Sequence, residues 1–168
     1  VLEGAPQVGA VVGADDLGRV ARVMRRLGRI VDERKRVIAS SGLTGYADLR
    51  ARASSPVPRV LVLLDGYAGA VSALERVDGG RLLERLERLV ADGAAVGVHF
   101  VLTADRRAAV PSALTSVITS RLVLRMADKD DYTLVGVQAG LVHHSSMPPG
   151  RGYLQGNTEI QVGVVASS

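Results

Sequence analysis

The sequence predicts an α/β fold in which helices flank a mostly parallel sheet. Residues 60–64 (VLVLL) and 98–103 (VHFVLT) are aliphatic runs with almost no polar alternation, which is typical of strands buried on both faces of a parallel sheet. Between them, residues 81–91 carry leucines at helical spacing, so strand, helix and strand alternate along the chain. A chain of 168 residues can bury one sizeable core, and we expect a single domain over 1–168.

Composition excludes several classes of protein. Hydrophobic residues make up 47% and charged residues 23%, which is incompatible with a disordered chain. No apolar run approaches the roughly 18 residues of a membrane-spanning helix. The absence of cysteine excludes disulfide scaffolds and cysteine-based zinc sites. With one Phe and no Trp there is no stacking platform for single-stranded nucleic acid, and a net charge of +4 is mild for this length.

The first half of the chain begins with a predicted strand and a long helix. Residues 8–12 form the apolar stretch read as a strand, and Asp15 or Asp16 can then cap a helix. Apolar residues recur every three, four or seven positions after the cap and form one stripe: Leu17, Val20, Met24, Leu27, Val31 and Ile38. The helix is expected to end at residues 40–42.

The second half adds shorter elements. Gly79 and Gly80 predict a loop before the helix at 81–91, and Pro111 suits the first turn of another short helix. The remaining predictions are a strand at 122–126, a helix at 128–134 and a terminal hairpin at 153–165 that turns at Gly156 and Asn157.

Polar residues follow the two buried strands. Asp65 follows the first strand and leads into Gly66, the form of a Walker B element, in which a strand-end carboxylate helps to hold Mg²⁺ beside ATP. Thr103 ends the second strand, where a hydroxyl can orient a water or sense a γ-phosphate. Ligands of open α/β sheets bind at these carboxyl ends. An ordinary turn aspartate and a loop cap are the alternatives.

Several segments, taken in order, resemble the motor domain of the FtsK/SpoIIIE family of P-loop ATPases. They are ERKR (33–36), PRVLVLLDGY (58–67), ADGAAVGVHFVLTADRR (91–107), SRLVLRMADKDDYTLVG (120–136) and PPGRGYL (148–154). RMADKDDYTLVG followed by PPGRG is most similar to the EccC-type ATPases of type VII secretion. The resemblance covers about residues 8–164 and implies a RecA-like P-loop NTPase core.

The resemblance also implies cofactors and site residues. ATP and Mg²⁺ are the family's cofactors. Asp65 and Thr103 would be catalytic, and Asp65 would also hold magnesium through water if a phosphate loop were supplied. Asp65 and the turn residues Gly150, Arg151 and Gly152 would contact the nucleotide, although the turn also fits ordinary loop punctuation.

Two departures limit what the resemblance implies. The chain contains no G-x-x-x-x-G-K-[ST], the loop whose amides, lysine and hydroxyl hold phosphates and magnesium. In the family this loop precedes the region that begins at Val1, so we expect the C-terminal portion of a module, without the Walker A strand and loop. Gly66 stands where active members usually carry the glutamate that polarises the attacking water. Thr103 is followed by Ala104, where a Thr-Gln pair is typical.

These features predict a degenerate ATPase module that acts in assembly or substrate docking and binds no nucleotide alone. The alternative is part of an active ATP-hydrolysing DNA or protein translocase. Expected partners are other ATPase modules or subunits and an exported protein's signal segment. DNA is less favoured, because the arginines of the first helix, such as Arg22 and Arg26, also fit a solvated face. A location at the cytoplasmic face of the cell membrane, through the parent protein, is implied by the resemblance alone. The pair His143–His144 lacks a third ligand for a metal.

Overall fold

A computed structural model describes residues 3–138, 140, 142 and 147–163, and divides the chain into two compact units between Ala104 and Asp105. The first unit contains helices and one parallel pair of strands. In order, its elements are α1 (Leu17–Ser40), α2 (Tyr46–Arg52), β1 (Val60–Leu64), α3 (Tyr67–Glu75), α4 (Arg81–Gly93) and β2 (Val98–Leu102). Single 3₁₀ turns at Asp78–Gly80 and Ala94–Val96 precede and follow α4.

Helix α1 begins where the sequence predicts. The Oδ1 atom of Asp16 accepts a hydrogen bond of 2.9 Å from the backbone N–H of Arg19, and so satisfies one of the free donors of the first turn. The predicted stripe supplies its buried residues, Met24, Leu27 and Val31. The strand predicted at 8–12 is wrong, because these residues have no regular secondary structure. No described strand pairs with them, and a strand requires such a partner.

Strands β1 and β2 pair in parallel, with Val60 opposite Val98 and Leu64 opposite Leu102. Helix α4 approaches β2 closely at Gly93, where a Cβ atom would lie 2.6 Å from the carbonyl oxygen of Val98. The parallel pairing confirms the predicted element type. Burial on both faces was the wrong expectation for this chain.

One face of the parallel pair is open. The side chains of Leu61, Leu63 and Val101 are 61%, 58% and 49% exposed. Successive side chains of a strand point to opposite faces, and the burial of β1 alternates accordingly. Leu63 and Val101 occupy paired positions, so they belong to the same face. The structure therefore covers one face of this pair and leaves the other apolar surface exposed.

Arg34 joins α1 to the amino ends of both strands. Its Nη1 donates to the carbonyl oxygen of Val96 at 2.8 Å, and its Nη2 donates to that of Pro58 at 2.7 Å. The guanidinium lies 5.4 Å from the centroid of the Tyr46 ring. Gly97 has a left-handed φ of 77°, and a Cβ there would lie 2.5 Å from that ring. We call Arg34, Tyr46 and Gly97 the amino-end clamp.

The second unit is built around a three-stranded antiparallel sheet of order β3-β4-β5. Its elements are α5 (Ser112–Val117), β3 (Leu122–Leu124), α6 (Asp130–Leu134), β4 (Arg151–Leu154) and β5 (Thr158–Gln161). A 3₁₀ turn at Arg107–Ala109 precedes α5. The core is a cluster of buried side chains: Val123, Tyr132, Val137, Val142, Met147 and Tyr153.

The predicted terminal hairpin is confirmed in type. It starts at Arg151, earlier than expected, and its turn contains Gly156 and Asn157 with positive φ angles of 92° and 69°. Residues 164 and 165 of the predicted range lie outside the described residues. Among those described, no helix is long and apolar enough to cross a bilayer.

Candidate functional site

Asp65 and Thr103 meet at the carboxyl ends of β1 and β2. The hydroxyl of Thr103 donates a hydrogen bond of 2.6 Å to Oδ1 of Asp65. The same hydroxyl oxygen accepts the backbone N–H of Gly66 at 2.8 Å. Parallel pairing brings both strand ends to one edge of the sheet, so residues 38 positions apart come into direct contact. The two predicted residues therefore lie together, although their catalytic roles stay a prediction.

The backbone of Thr103 extends this contact into the turn between β1 and α3. Its N–H donates to the carbonyl oxygen of Leu64 at 3.0 Å, and its carbonyl oxygen accepts the N–H of Tyr67 at 2.9 Å. A threonine hydroxyl can donate one hydrogen bond, and here Asp65 accepts it. Thr103 cannot donate to a water or a phosphate until it releases Asp65.

Gly66 has a left-handed conformation, with φ 69° and ψ 62°, at the start of α3. A Cβ atom there would have no heavy atom within 4 Å, so space is available for a side chain. The backbone conformation still opposes one, because an L-residue in the left-handed region costs about 1–2 kcal/mol. Glycine supplies no proton acceptor, so position 66 offers no group to polarise an attacking water.

Asp65 can hold magnesium only together with other ligands. Its side chain is exposed, and within the described part of the chain no protein group bonds its Oδ2 atom. The described residues contain no group of three His, Asp or Glu side chains placed to bind a metal. Magnesium in nucleotide sites takes one or two carboxylates and substrate phosphates. The free oxygen fits a water-mediated contact to a Mg²⁺ ion whose phosphates are held by other residues.

Two glycine pairs near the amino end have the spacing of an incomplete phosphate loop. Gly4 and Gly9 are followed by Ala10 and Val11, where the loop needs Lys and Ser/Thr. Gly13 and Gly18 have the spacing of G-x-x-x-x-G, but Arg19 and Val20 replace the required Lys and Ser/Thr. The amide of Arg19 is already bonded to the carboxylate of Asp16. An aspartate at this helix end occupies the position that a phosphate would need, so this segment is a helix cap.

Gly150, Arg151 and Gly152 lie in the second unit, where they organise the hairpin. Gly150 has a φ of 79°. A Cβ at Gly152 would lie 2.7 Å from the carbonyl oxygen of Val123, so β3 and β4 require glycine at this contact. Their nucleotide contact stays a prediction beside these structural roles.

The guanidinium of Arg151 is bound within the hairpin. Its Nη1 pairs with Glu159, and its Nε donates to Oε1 of Gln161 at 3.1 Å. Both partners lie on β5, the neighbouring strand. A phosphate would have to compete with these two partners for the arginine.

Tyr67 is a buried residue beside the site that the sequence did not single out. It begins α3 directly after Gly66, and its side chain is fully buried. Its hydroxyl has no hydrogen-bond partner among the described residues. Burial raises the pKa of this phenol, and the charges of Glu87 and Glu75 raise it further. In a sequence, an aromatic residue at the start of a helix is interpreted as a core residue. No sequence pattern could therefore reveal that the hydroxyl of Tyr67 lacks a partner.

His143 and His144, which the sequence predicts to lack a third metal ligand, lie outside the described residues. That expectation therefore stays a prediction.

Comparison with known proteins gives matches over most of the chain. The model of the FtsK/SpoIIIE family matches residues 1–145. The ESX-5 secretion system protein EccC5 of Mycobacterium marinum is 30% identical over 161 residues, which is 90% of this chain and 11% of that protein. The chain therefore spans about a ninth of the length of this relative.

Two solved structures share the fold. Thermomonospora curvata EccC (ATPases 2 and 3), in complex with a signal sequence peptide, has a TM-score of 0.76 at 21% identity, over 93% of this chain and 28% of that one. The conjugation coupling protein TcpA of pCW3, in its monomer form with ATPγS, has a TM-score of 0.67 at 16% identity, over 90% and 45%. These likenesses confirm the predicted α/β P-loop ATPase fold class. The family model and the EccC5 match confirm the resemblance to the FtsK/SpoIIIE family and its type VII secretion members.

Proposed function

Since the chain belongs to the FtsK/SpoIIIE family, we propose that it is a degenerate ATPase module of an EccC-like type VII secretion ATPase, acting in assembly or substrate docking. The observation that carries the proposal is Gly66. The residue beside the strand-end carboxylate offers no proton acceptor, and its left-handed backbone disfavours one.

The hydrogen bond between Thr103 and Asp65 supports the same proposal. Hydrolysis needs a group that orients the attacking water and a hydroxyl free to sense the phosphate. Position 66 lacks the first, and the hydroxyl of Thr103 donates its hydrogen bond to Asp65.

The open sheet face supports an assembly with further structure. Parallel sheets are normally covered on both faces, whereas Leu61, Leu63 and Val101 expose one apolar face of β1 and β2. We propose that this chain is the later part of a module and that an upstream segment of the same module covers this face. The contact would shield the apolar surface from water.

The proposed partners follow from the relatives. The Thermomonospora curvata structure contains a signal sequence peptide, and that protein is an EccC ATPase. We propose that this chain likewise joins other ATPase modules and contributes to docking an exported protein. The parent protein would place it at the cytoplasmic face of the cell membrane.

ATP binding by the chain tests whether its residues hold a nucleotide alone, and ATP turnover by the complete module tests the degenerate-module proposal, which expects none. Calorimetric titration with ATP and Mg²⁺ is expected to give no saturable binding up to about 1 mM ATP. Asp65→Ala examines the strand-end carboxylate, and Asp78→Ala serves as an exposed control in the same unit. Micromolar, magnesium-dependent binding that Asp65→Ala abolishes and Asp78→Ala preserves would overturn the expectation that the chain binds no nucleotide alone.

The second candidate is part of an active ATP-hydrolysing DNA or protein translocase. It is favoured by the retained Asp65, whose Oδ2 has no protein partner in the described part of the chain. Under this alternative Asp65 holds Mg²⁺ and Thr103 senses the γ-phosphate once an upstream loop is supplied. Turnover by the complete module that falls with Asp65→Ala would favour the translocase.

A further inference from the structure

Helices α1 and α4 leave an open groove of about 700 Å³ between them within the first unit. Arg25 and Arg29 line it from α1, and Arg85 and Arg88 line it from α4. Residues three or four apart lie on one face of a helix, so each helix presents a short row of arginines. We call this feature, with its buried floor residue Leu89, the arginine groove.

These four arginines form no ion pair with the described residues. All four are exposed, and none of them has an acidic partner within 4.0 Å in the described part of the chain. Five arginines and three carboxylates line the groove, a surplus of two positive charges. One of the carboxylates, Asp92, is bound to Lys35 at 2.8 Å.

We propose that the arginine groove binds an acidic helical segment of a partner protein. The proposal rests on the docking role proposed above and names the chemistry of the segment that docks. A helix rises 1.5 Å per residue, so Arg25 and Arg29 lie about 6 Å apart along α1 and Arg85 and Arg88 about 4–5 Å apart along α4, a spacing that matches carboxylates one helical turn apart. Guanidinium groups bind carboxylates with two parallel hydrogen bonds, and their aliphatic stems offer apolar contact.

A protein segment fits the groove better than a nucleic acid does. Asp32 and Glu84 stand among the arginines and would repel a continuous row of phosphates. A helix can instead place its carboxylates opposite the arginines and leave neutral residues opposite the acids. Arg22 and Arg26, the arginines weighed for DNA, are exposed on α1 but do not line the groove.

Binding of a designed peptide tests the proposal directly. The probe is a fluorescein-labelled amphipathic peptide of about 18 residues, long enough to form a helix when bound, with glutamates on its polar face. A peptide with glutamine at the same positions is the neutral control, and a duplex of about 20 base pairs represents nucleic acid. Fluorescence anisotropy of the full chain with each probe measures affinity.

We expect saturable binding of the glutamate peptide and at least tenfold weaker binding of the glutamine peptide. The double variant Arg29→Glu/Arg88→Glu should weaken binding of the glutamate peptide by about tenfold or more, equivalent to about 1.4 kcal/mol in binding free energy. The matched variant Arg22→Glu/Arg26→Glu should change it by less than about twofold, because exposed charges outside the contact are screened. All four positions are exposed, and unchanged thermal unfolding would show that the variants fold.

Three results would overturn the inference. They are no saturable peptide binding, equal binding of the neutral peptide, and tighter binding of the duplex that is lost with Arg22→Glu/Arg26→Glu. None of these results bears on ATP binding by the chain or on ATP turnover by the complete module. Failure of the groove is therefore distinguishable from failure of the degenerate-module proposal.

Discussion

The hydroxyl of Thr103 donates a hydrogen bond of 2.6 Å to Oδ1 of Asp65, across the ends of two parallel strands. The contact links the two residues that the sequence predicts to be catalytic, a role that stays a prediction. A hydroxyl held in this way is a structural cross-link between β1 and β2. A phosphate that reached this edge would have to break it before Thr103 could respond.

Removing this cross-link should weaken the first unit measurably. Thr103→Val replaces the hydroxyl with a methyl group, and it leaves the N–H of Gly66 and the carboxylate of Asp65 without their partner. We expect a loss of about 0.5–1.5 kcal/mol in the free energy of unfolding, measured in urea. Ser72→Ala, which removes a bond within α3, is the control and should cost less. Equal losses would contradict the cross-link.

Two buried tyrosines should respond oppositely to loss of their hydroxyls. Tyr46 donates its hydroxyl to the carbonyl oxygen of Val57 at 2.8 Å, so Tyr46→Phe should destabilise the chain by about 1 kcal/mol. Tyr67 has no partner among the described residues, so Tyr67→Phe should be neutral or stabilising. Urea unfolding of both variants compares them. A large loss in Tyr67→Phe would show that its hydroxyl is bonded after all.

Ionisation of the Tyr67 phenol should also lower the free energy of unfolding at alkaline pH. Burial, with the charges of Glu87 and Glu75, raises its pKa above the ordinary value of 10.0. A raised folded pKa gives stability that is complete below the unfolded pKa and lost as pH rises through the folded value. We therefore expect the free energy of unfolding to decline above about pH 10, and less steeply in Tyr67→Phe. Identical slopes in the two proteins would refute this assignment.

Gly97 should be the more sensitive of two glycines with left-handed backbones. Its φ is 77° and a Cβ would collide with the Tyr46 ring, whereas Gly42 has φ 61° with open space around it. Gly42→Ala should cost only the conformational term, about 1 kcal/mol, and Gly97→Ala should cost clearly more. Thermal unfolding of the pair measures the difference. Similar losses would mean that the ring moves aside without cost.

The covered apolar elements were predictable because their patterns are local. The apolar stripe of α1 predicts a helix, and the aliphatic runs of β1 and β2 predict strands. Each pattern can be recognised from residues that are close together in the sequence. The exposed face of β1 was not predictable, because a run such as VLVLL does not reveal how many layers cover it. The strand predicted at 8–12 was wrong for a related reason, because a strand needs a neighbouring strand to pair with and the local sequence does not show whether one is present.

The position of the candidate site, at the ends of two strands, was predictable from the sequence. The hydrogen bonds within it were not. Strand-end chemistry pointed to Asp65 and Thr103, and parallel pairing brings them together. Their direct bond and the unpaired hydroxyl of Tyr67 depend on geometry between distant residues. Arg34 lies within the charged run ERKR, where nothing distinguishes a solvated arginine from one that binds the backbone 62 residues away.

The amino-end clamp has an evolutionary consequence. Arg34, Tyr46 and Gly97 hold the starts of β1 and β2, while Asp65, Gly66 and Thr103 occupy their other ends. The contacts of the clamp therefore hold the first unit together at the ends of the strands that lie away from the candidate site. Under the degenerate-module proposal, sequence change at position 66 can accumulate while the contacts of the clamp stay in place, so the fold can outlast the chemistry.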